Sequence, residues 1–498
     1  MQNSTEAITV LLVALYRYQN FPIRILHALL QNMAGVEPHT IFLKNSYTNA
    51  IKALTTKEER LLKDKIIALN PKLVGFSVYS PFVSIAKRLT EIIKSNSAAL
   101  VLWGGIHPTL CSEACIQEAD IVCVGEGEEA LADLVLGLRD GKDYKQLQNL
   151  WVKHDGHIHR NPMRPLIQDL DAIPFPAYGR STFSFIESNK LIREDPALLD
   201  PTLAVMPARG CPFRCSFCVN SLLHPMHKGL GRYSRRRSVD NVIAELKYVL
   251  NLPGNKKEIV EFHDENFGTS ESWLTEFEKR YPQEIGLPFK VQYNPALVKS
   301  TTVARLAKCG LKRLKFGIEA GTDDIRNRVF NRPGKNGRIL KLAREIDSYG
   351  IKARYDLIMD NPYDRVDSLK ETLSLLLELP RPPRFNLYTL QYFPDYPLSR
   401  RAVADGHVSE EETGLESLQK RMSRNWAFVP HFFPYTKKQV LQNIIWLYAS
   451  GLAGAEAVRR AVFNDSLAAR LYLHFLNFRA IFRGKIKAMQ RLLDRNES

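Results

Sequence analysis

Apolar and polar positions along this chain fall into two successive series of short apolar runs separated by amphipathic stretches. In the first series the runs lie at 8–15, 38–44, 73–79, 99–103 and 120–124, and segments such as Ile23 to Met33 and Pro81 to Lys94 carry apolar residues at helical spacing. Short buried runs alternating with helices predict a doubly wound parallel sheet with helices on both faces. A second series predicts strands at 202–207, 258–263, 288–293, 313–318, 353–359 and 385–391, with helices between them such as Val239 to Leu250 and Gly337 to Tyr349. Six repeats suit a partial, open (β/α)6 version of the parallel barrel, whose functional groups come from the carboxyl ends of the strands.

Between the two series, Trp151 to Arg160 reads as a polar hairpin, and the prolines from Pro174 to Pro196 interrupt any periodicity, which predicts a linker. After Gly406 only helical spacing remains. The fold class is therefore α/β, divided into a first domain at 1–150, a linker at 151–200, a barrel at 201–404 and a helical tail at 405–498. In that tail Phe475, Phe478, Phe482, Ile486, Met489 and Leu493 share one helical face, with Arg479, Arg483, Lys485, Lys487 and Arg491 alongside. Such a helix either lies on an anionic membrane or packs over the barrel with a solvated basic face.

Composition narrows the class. With 498 residues, 45% of them hydrophobic, the chain has material for about three domains with sizeable cores. No apolar run approaches the ~18 residues of a membrane span. Glu6 precedes the run Ile8 to Leu15, and no basic segment or cleavage site frames it, so it reads as a strand and not a signal peptide. The net charge of +16 favours acidic partners, and its densest cluster is Arg232, Arg235, Arg236 and Arg237. No nucleic-acid-binding module is written in the chain, so no nucleic-acid partner is expected. Seven cysteines show no disulfide framework, which predicts a reducing, cytoplasmic setting.

The chemistry concentrates at Cys211-Pro212-Phe213-Arg214-Cys215-Ser216-Phe217-Cys218, directly after the first strand of the second series and the turn Ala208-Arg209-Gly210. Thiolates hold iron–sulfur clusters, usually four at a time. Three in eight residues, with no fourth nearby, leave one iron of a cubane open to an outside ligand. A zinc site completed by His224 or His227 is the competing reading of the same cysteines. Cys111, Cys115, Cys123 and Cys309 read as structural.

The CxxxCxxC spacing, with Phe217 before the last cysteine, resembles the radical S-adenosylmethionine (SAM) enzymes. The resemblance implies a [4Fe-4S] cluster on Cys211, Cys215 and Cys218, whose open iron chelates SAM and whose electron splits it into methionine and a 5′-deoxyadenosyl radical. It also places SAM against the later strand ends. Asp264 and Glu265 would face its ammonium, Glu319 would lie at the ribose and carboxylate, and Asp360-Asn361-Pro362 replaces a commoner Gly-Leu-Pro turn near the adenine. Arg209, beside the cluster, would act as a counterion for the cluster or for SAM. Tyr293, Tyr355 and Tyr388 either hydrogen-bond to substrate or pack in the barrel wall.

The first domain resembles the cobalamin-binding domain that precedes many radical SAM barrels. Ser77 and Tyr79 take its serine-x-leucine place, with Tyr79 as a departure. Gly104 and Gly105 take the glycine pair against the corrin's nucleotide tail, and Gly125-Glu126-Gly127-Glu128 matches the exit from the last strand. The cobalt-ligating DxHxxG motif is missing, because the segment after the first strand is Tyr16-Arg17-Tyr18-Gln19-Asn20-Phe21-Pro22. Cobalamin would thus bind without that histidine. His107 reads as a turn residue.

Together these resemblances imply an enzyme that methylates an unactivated carbon, using the cluster, SAM and cobalamin. Cobalamin-associated rearrangement, cyclisation or oxidation is the second reading, and a non-catalytic cluster- or corrin-binding sensor the third. The expected partners are a small-molecule or lipid-like substrate and a reducing electron carrier of flavodoxin or ferredoxin type.

Overall fold

The computed structural model describes residues 7–45, 53–380, 383–424, 427–431, 436–464 and 471–480. Nine strands among them form the first sheet: β1 (Ile8–Leu15), β2 (Val36–Leu43), β3 (Leu73–Ser77), β4 (Leu100–Gly104), β5 (Ile121–Cys123), β6 (Leu150–His154), β7 (His157–Arg160), β8 (Phe183–Glu187) and β9 (Lys190–Ile192). Their order is β7-β6-β5-β4-β3-β1-β2-β8-β9. β1 is apolar almost throughout because both of its faces are covered, as in parallel sheets generally. It pairs in parallel with β2 on one side and β3 on the other, so the winding reverses there and the carboxyl ends of β1 and β3 open a crevice.

The helix Phe21–Gln31 that leaves β1 is started by Asn20, whose Oδ1 accepts from the Ile23 amide at 3.1 Å, and Pro22 sits in its first turn. The predicted hairpin at 151–160 is present, and Asp155 and Gly156 both take positive φ, as its two-residue turn requires. It extends the sheet antiparallel to β5.

The segment read as a linker holds more order than its prolines suggest. β8 runs parallel to β2, and β9 returns against it through a second tight turn at Ser188-Asn189, where both residues have positive φ. Phe183 is buried and stacks on Phe42. Arg24, fully buried, fixes this segment to the first helix. Its guanidinium makes two 2.6 Å bonds to the carboxylate of buried Asp195, donates to the carbonyls of Tyr18 and Ala177, and lies over the Phe42 and Tyr178 rings.

The second sheet contains β10 (Thr202–Val205), β13 (Ile259–Phe262), β14 (Phe289–Tyr293), β15 (Leu311–Glu319), β16 (Lys352–Met359) and β17 (Phe385–Thr389), all parallel and in that order. The two-residue strands β11 (Ala208–Arg209) and β12 (Arg235–Arg236) pair with each other beside it. The six-stranded open barrel of the sequence reading is what forms. Alternate residues such as Val260, Phe262, Leu314, Phe316, Tyr355 and Leu357 bury against the surrounding helices.

Beyond the barrel, the helix Lys437–Ala449 packs on it, and the Tyr448 hydroxyl donates to the Leu376 carbonyl. No described helix is long and apolar enough to cross a membrane. Of the apolar face predicted in the tail, Phe475 and Phe478 lie in the helical stretch 471–480 and are exposed. Phe482, Ile486, Met489 and Leu493, with Arg483, Lys485, Lys487 and Arg491, lie outside the described residues.

Because Arg24 is buried with one counterion, Asp195→Ala should destabilise the chain by about 3–5 kcal/mol, read as a lower urea midpoint. Replacing both partners by apolar residues (Arg24→Met with Asp195→Leu) should recover most of that loss.

Candidate active site between the two sheets

The carboxyl ends of the two sheets face each other, and charge holds them there. Glu126, from the loop after β5, accepts from Arg209 at 3.0 Å and from Arg235 at 3.0 and 3.1 Å, and it also takes the Ile167 amide at 2.8 Å. Glu128 takes the other branch of Arg209 at 2.5 Å. The Gly-Glu-Gly-Glu segment therefore binds the strand pair β11–β12 that flanks the cysteine loop. Arg209 is committed to this clamp. Arg235 and these two carboxylates explain part of the basic cluster at 232–237, and the arginine ladder lowers the Glu126 pKa against the opposing effect of burial.

Two cavities lie at this junction. The larger, about 380 Å³, is walled on one side by Gly75 to Ser77, Gly104, Gly105 and Gly125 to Glu128, and on the other by Arg209, Tyr233 and His263. Gly105 has φ +104°, and a Cβ there would stand 3.1 Å from the Val78 amide and carbonyl atoms, so only glycine lets this loop pass so close to its neighbour. Thr109 joins the loops: its hydroxyl donates to the Gly105 carbonyl at 2.8 Å and accepts from the Gly125 amide at 3.0 Å. Ser77 faces this space, whereas Tyr79 turns away and meets the Phe82 ring edge-on. His107 is buried off the cavity wall, 3.0 Å from the Ser80 hydroxyl, and burial pushes its pKa down to about 4. After β1 the wall is supplied by Pro22 and Ile23, with no imidazole from that loop. Backbone approach, apolar walls and glycine loops fit a large flat cofactor such as a corrin.

The smaller cavity, about 200 Å³, is ringed by Cys211, Cys215, Cys218 and Phe217 on the loop and by Glu265, Lys315, Gly317, Glu319 and Arg332 on the barrel. The loop can turn there because of Gly210, whose φ is +81° and where a Cβ would sit 2.2 Å from the Tyr233 carbonyl oxygen. Its far side is pinned at Ser216, whose amide and hydroxyl donate to the Phe330 and Val329 carbonyls. Phe217 packs edge-on against Phe330 at 5.1 Å.

Each of the three sulfurs has a side-chain N–H donor from a different segment of the chain. Asn266 donates to Cys211 and Asn220 to Cys218, both at 3.6 Å, and Arg332 donates to Cys215 at 3.8 Å. Burial pushes the Cys211 thiol up to about 11 and the Cys218 thiol up to about 12, while the Phe213 amide and the Arg332 charge at Cys211, and Asn220 at Cys218, pull the other way. Among the described residues no three His, Cys, Asp or Glu side chains close on a point, as a single ion requires. His227 Nδ1 lies 2.8 Å from the Leu223 carbonyl, and His224 packs against Tyr233. Thiols that surround a space fit a multi-iron cluster, and the zinc reading has no fourth ligand in place.

At the ends of the barrel strands the two acidic neighbours separate. Asp264 is wholly buried behind the cavity and bound to Arg236, which also donates to the Asn266 carbonyl at 2.8 Å. It supports the strand end and does not line either cavity. Glu265, by contrast, lines both cavities, and Asn220 is the other residue that does so. Glu319 has φ +62°, an unusual conformation for a carboxylate residue, and its side chain folds back over Gly317, where a Cβ would stand 1.8 Å from Glu319 Oε1. Arg332 lies 3.5 Å away. Burial raises the Glu319 pKa to about 7 in spite of that cation. Tyr293 and Tyr355 are buried in the barrel core, and Tyr388 lies near Lys315 and Asp356.

Sequence reasoning did not find Arg332, Asn220, Asn266, Lys315 or the Glu126 clamp. Asn266 sits in the same strand-end segment as Glu265 and was within reach of that logic. Arg332 lies in an irregular stretch, Asn331 to Gly334, with no pattern to mark it.

Comparison with known proteins supports both halves of this arrangement. The B12 binding domain family matches residues 8–135, and the Radical SAM superfamily matches residues 205–376. An uncharacterized methyltransferase, PH0819, from Pyrococcus horikoshii is 28% identical over 320 residues, covering 62% of this chain and 65% of that protein. The anaerobic magnesium-protoporphyrin IX monomethyl ester cyclase of Cereibacter sphaeroides is 26% identical, covering 62% of this chain and 50% of its own length. The chain thus spans between half and two thirds of these curated relatives. In fold it is similar to the radical SAM methyltransferase TsrM from Kitasatospora setae, solved with cobalamin and a [4Fe-4S] cluster bound. The TM-score is 0.63 at 18% identity, over 80% of this chain and 78% of that one. With one family lying over the glycine loops and the other over the three cysteines and most of the barrel, this chain carries a B12-binding domain followed by a radical SAM domain.

Proposed function

We propose that this protein is a cobalamin-dependent radical SAM methyltransferase acting on an unactivated carbon of a small molecule. The observation that carries the reading is the meeting of a three-thiol cavity with a glycine-walled cavity at Glu265 and Asn220. When bound, the cluster supplies the electron that cleaves SAM and the corrin carries the methyl group. The chain's own residues hold and orient these groups.

Cys211, Cys215 and Cys218 hold the cluster, and Phe217 closes the loop over it. Glu319, fixed across Gly317 by Arg332, accepts from the SAM ribose, and Glu265 pairs with its ammonium. Asp264 acts at one remove, through Arg236 and Asn266. Ser77, Gly104 and Gly105 border the corrin's nucleotide tail, with Tyr79 behind them. Residues 1–150 accordingly serve the corrin and 201–404 serve SAM, with 151–200 joining them and the helix Lys437–Ala449 of the 405–498 region packed on the barrel. The reductant is a small flavodoxin- or ferredoxin-type carrier, which the basic charge of the chain favours. The exposed Phe475 and Phe478 support a peripheral membrane contact at the tail.

Anaerobic reconstitution with iron, sulfide, cobalamin and SAM under reduction should yield 5′-deoxyadenosine and S-adenosylhomocysteine. Formation of neither would indicate a sensor, and the first without the second would indicate a different radical reaction. Cys215→Ala should lose iron and SAM cleavage together, while Cys115→Ala keeps both.

Gly105→Val should weaken corrin binding about 5- to 150-fold, read from the bound visible spectrum, because overpacking of this kind costs about 1–3 kcal/mol. If ionised Glu319 is the form that receives the ribose, SAM affinity should fall as pH drops through about 7, by about tenfold at one unit below that value. In Glu319→Gln this limb of the calorimetric pH profile should be flat.

A further inference from the structure

The inner face of the barrel is charged where a closed barrel would be packed with branched apolar residues. On β14, β15 and β16 the residues facing the helices are apolar, and the alternate set facing inward includes Lys290, Gln292, Arg313, Lys315, Arg354 and Asp356. Strand register sets like charges side by side. Glu261, Lys290, Arg313 and Lys352 form one row across four strands, and Gln292, Lys315 and Arg354 form the next. Like charges on directly opposed strand positions are destabilising.

Within 4.0 Å two carboxylates meet these five cations, Glu261 on Lys290 at 3.0 Å and Asp356 on Lys315 at 2.9 Å, and Glu319 on the same face of β15 acts on Lys315 through space. Arg313, Lys352 and Arg354 are exposed and have no carboxylate partner within 4.0 Å among the described residues. Near the same rows, His263 Nε2 is buried with no hydrogen-bond partner. The upper row is continuous with the cluster cavity, because its members Gln292 and Lys315 also line that cavity.

We propose that the barrel lumen is the site for an anionic group, a phosphate or a carboxylate, on the substrate, with Arg354 and Lys315 as its principal contacts and Arg313 and Lys352 below. An oxyanion relieves the repulsion that the register imposes, and the arginine fork offers it paired N–H donors in a cleft that one sign of charge dominates. Arg354 stands two residues, about 7 Å along the strand, before Asp356, so the anion lies at the floor of the cluster cavity, below its Asp356 wall. The substrate therefore carries its anionic group several bonds from the carbon that reacts.

This assignment rests on the methyltransferase reading for the word substrate, but its test needs neither SAM nor corrin. The full chain is titrated calorimetrically with inorganic phosphate and, separately, with succinate, at an ionic strength held constant with chloride. One of the two should bind to the wild type, which also identifies the oxyanion. In R313Q/R354Q its dissociation constant should rise by about tenfold or more, whereas R354K should retain binding. The double variant without anion should melt no lower than wild type, because like charges have been removed. Equal affinity in wild type and R313Q/R354Q, or no binding of either probe beyond the chloride control, would overturn the proposal. So would a lower melting temperature of the double variant, which would make the cations structural. If the anion binds but SAM is not cleaved in the reconstituted enzyme, the methyltransferase reading alone fails.

Discussion

The attraction between Glu126 and the two arginines Arg209 and Arg235 is the constraint on which the arrangement of both cavities depends. A carboxylate at the end of the first sheet reaches guanidiniums on the small strand pair that flanks the cysteine loop. Pairs this well buried gain little net stability, because desolvation offsets most of the Coulombic attraction. Their directionality is what matters here. A bidentate fork tolerates little rotation, so the two sheets cannot turn relative to each other without leaving a buried charge unpaired. The distance from the glycine loops to the cysteine loop is thereby set by a few fixed contacts and not by the packing of two smooth surfaces.

Inside that frame the residues divide between holding and acting. Asp264 and Arg236 hold the end of one strand, and Gly317 makes room for Glu319 to bend back. Arg332 links Glu319 to the sulfur of Cys215. The strained backbone at Glu319 is of the kind found at functional sites, and its side chain lies over Gly317 and is paired with Arg332. Glu265, free of these duties, is the carboxylate left facing open space.

Much of this could be read in the residues themselves. Apolar runs at the right intervals announced both sheets, since a strand covered on two faces has little choice of composition. The three cysteines announced the loop, since so dense a spacing of thiols has few structural uses. What escaped was information carried by tertiary register. β8 and β9 were hidden among prolines because a short edge strand takes its pairing from β2 more than from its own pattern. Asp264 and Glu265 look alike on paper, and only the position of Arg236 tells them apart. Arg332 contacts a cysteine 117 residues earlier in the chain, and no local periodicity encodes such a contact.

The pairing of Arg24 with Asp195 also bears on where this protein can be divided. The first sheet looks finished at β7, yet its β2 edge is covered by a strand that begins at Phe183, and a helix near its beginning waits for a counterion at position 195. A piece ending near residue 150 would present a bare hydrogen-bonding edge and a stranded guanidinium to its neighbours, an invitation to self-association. During synthesis the same holds: the amino-terminal half stays incomplete on the ribosome until Asp195 has emerged, by which time the cysteine loop is next in line.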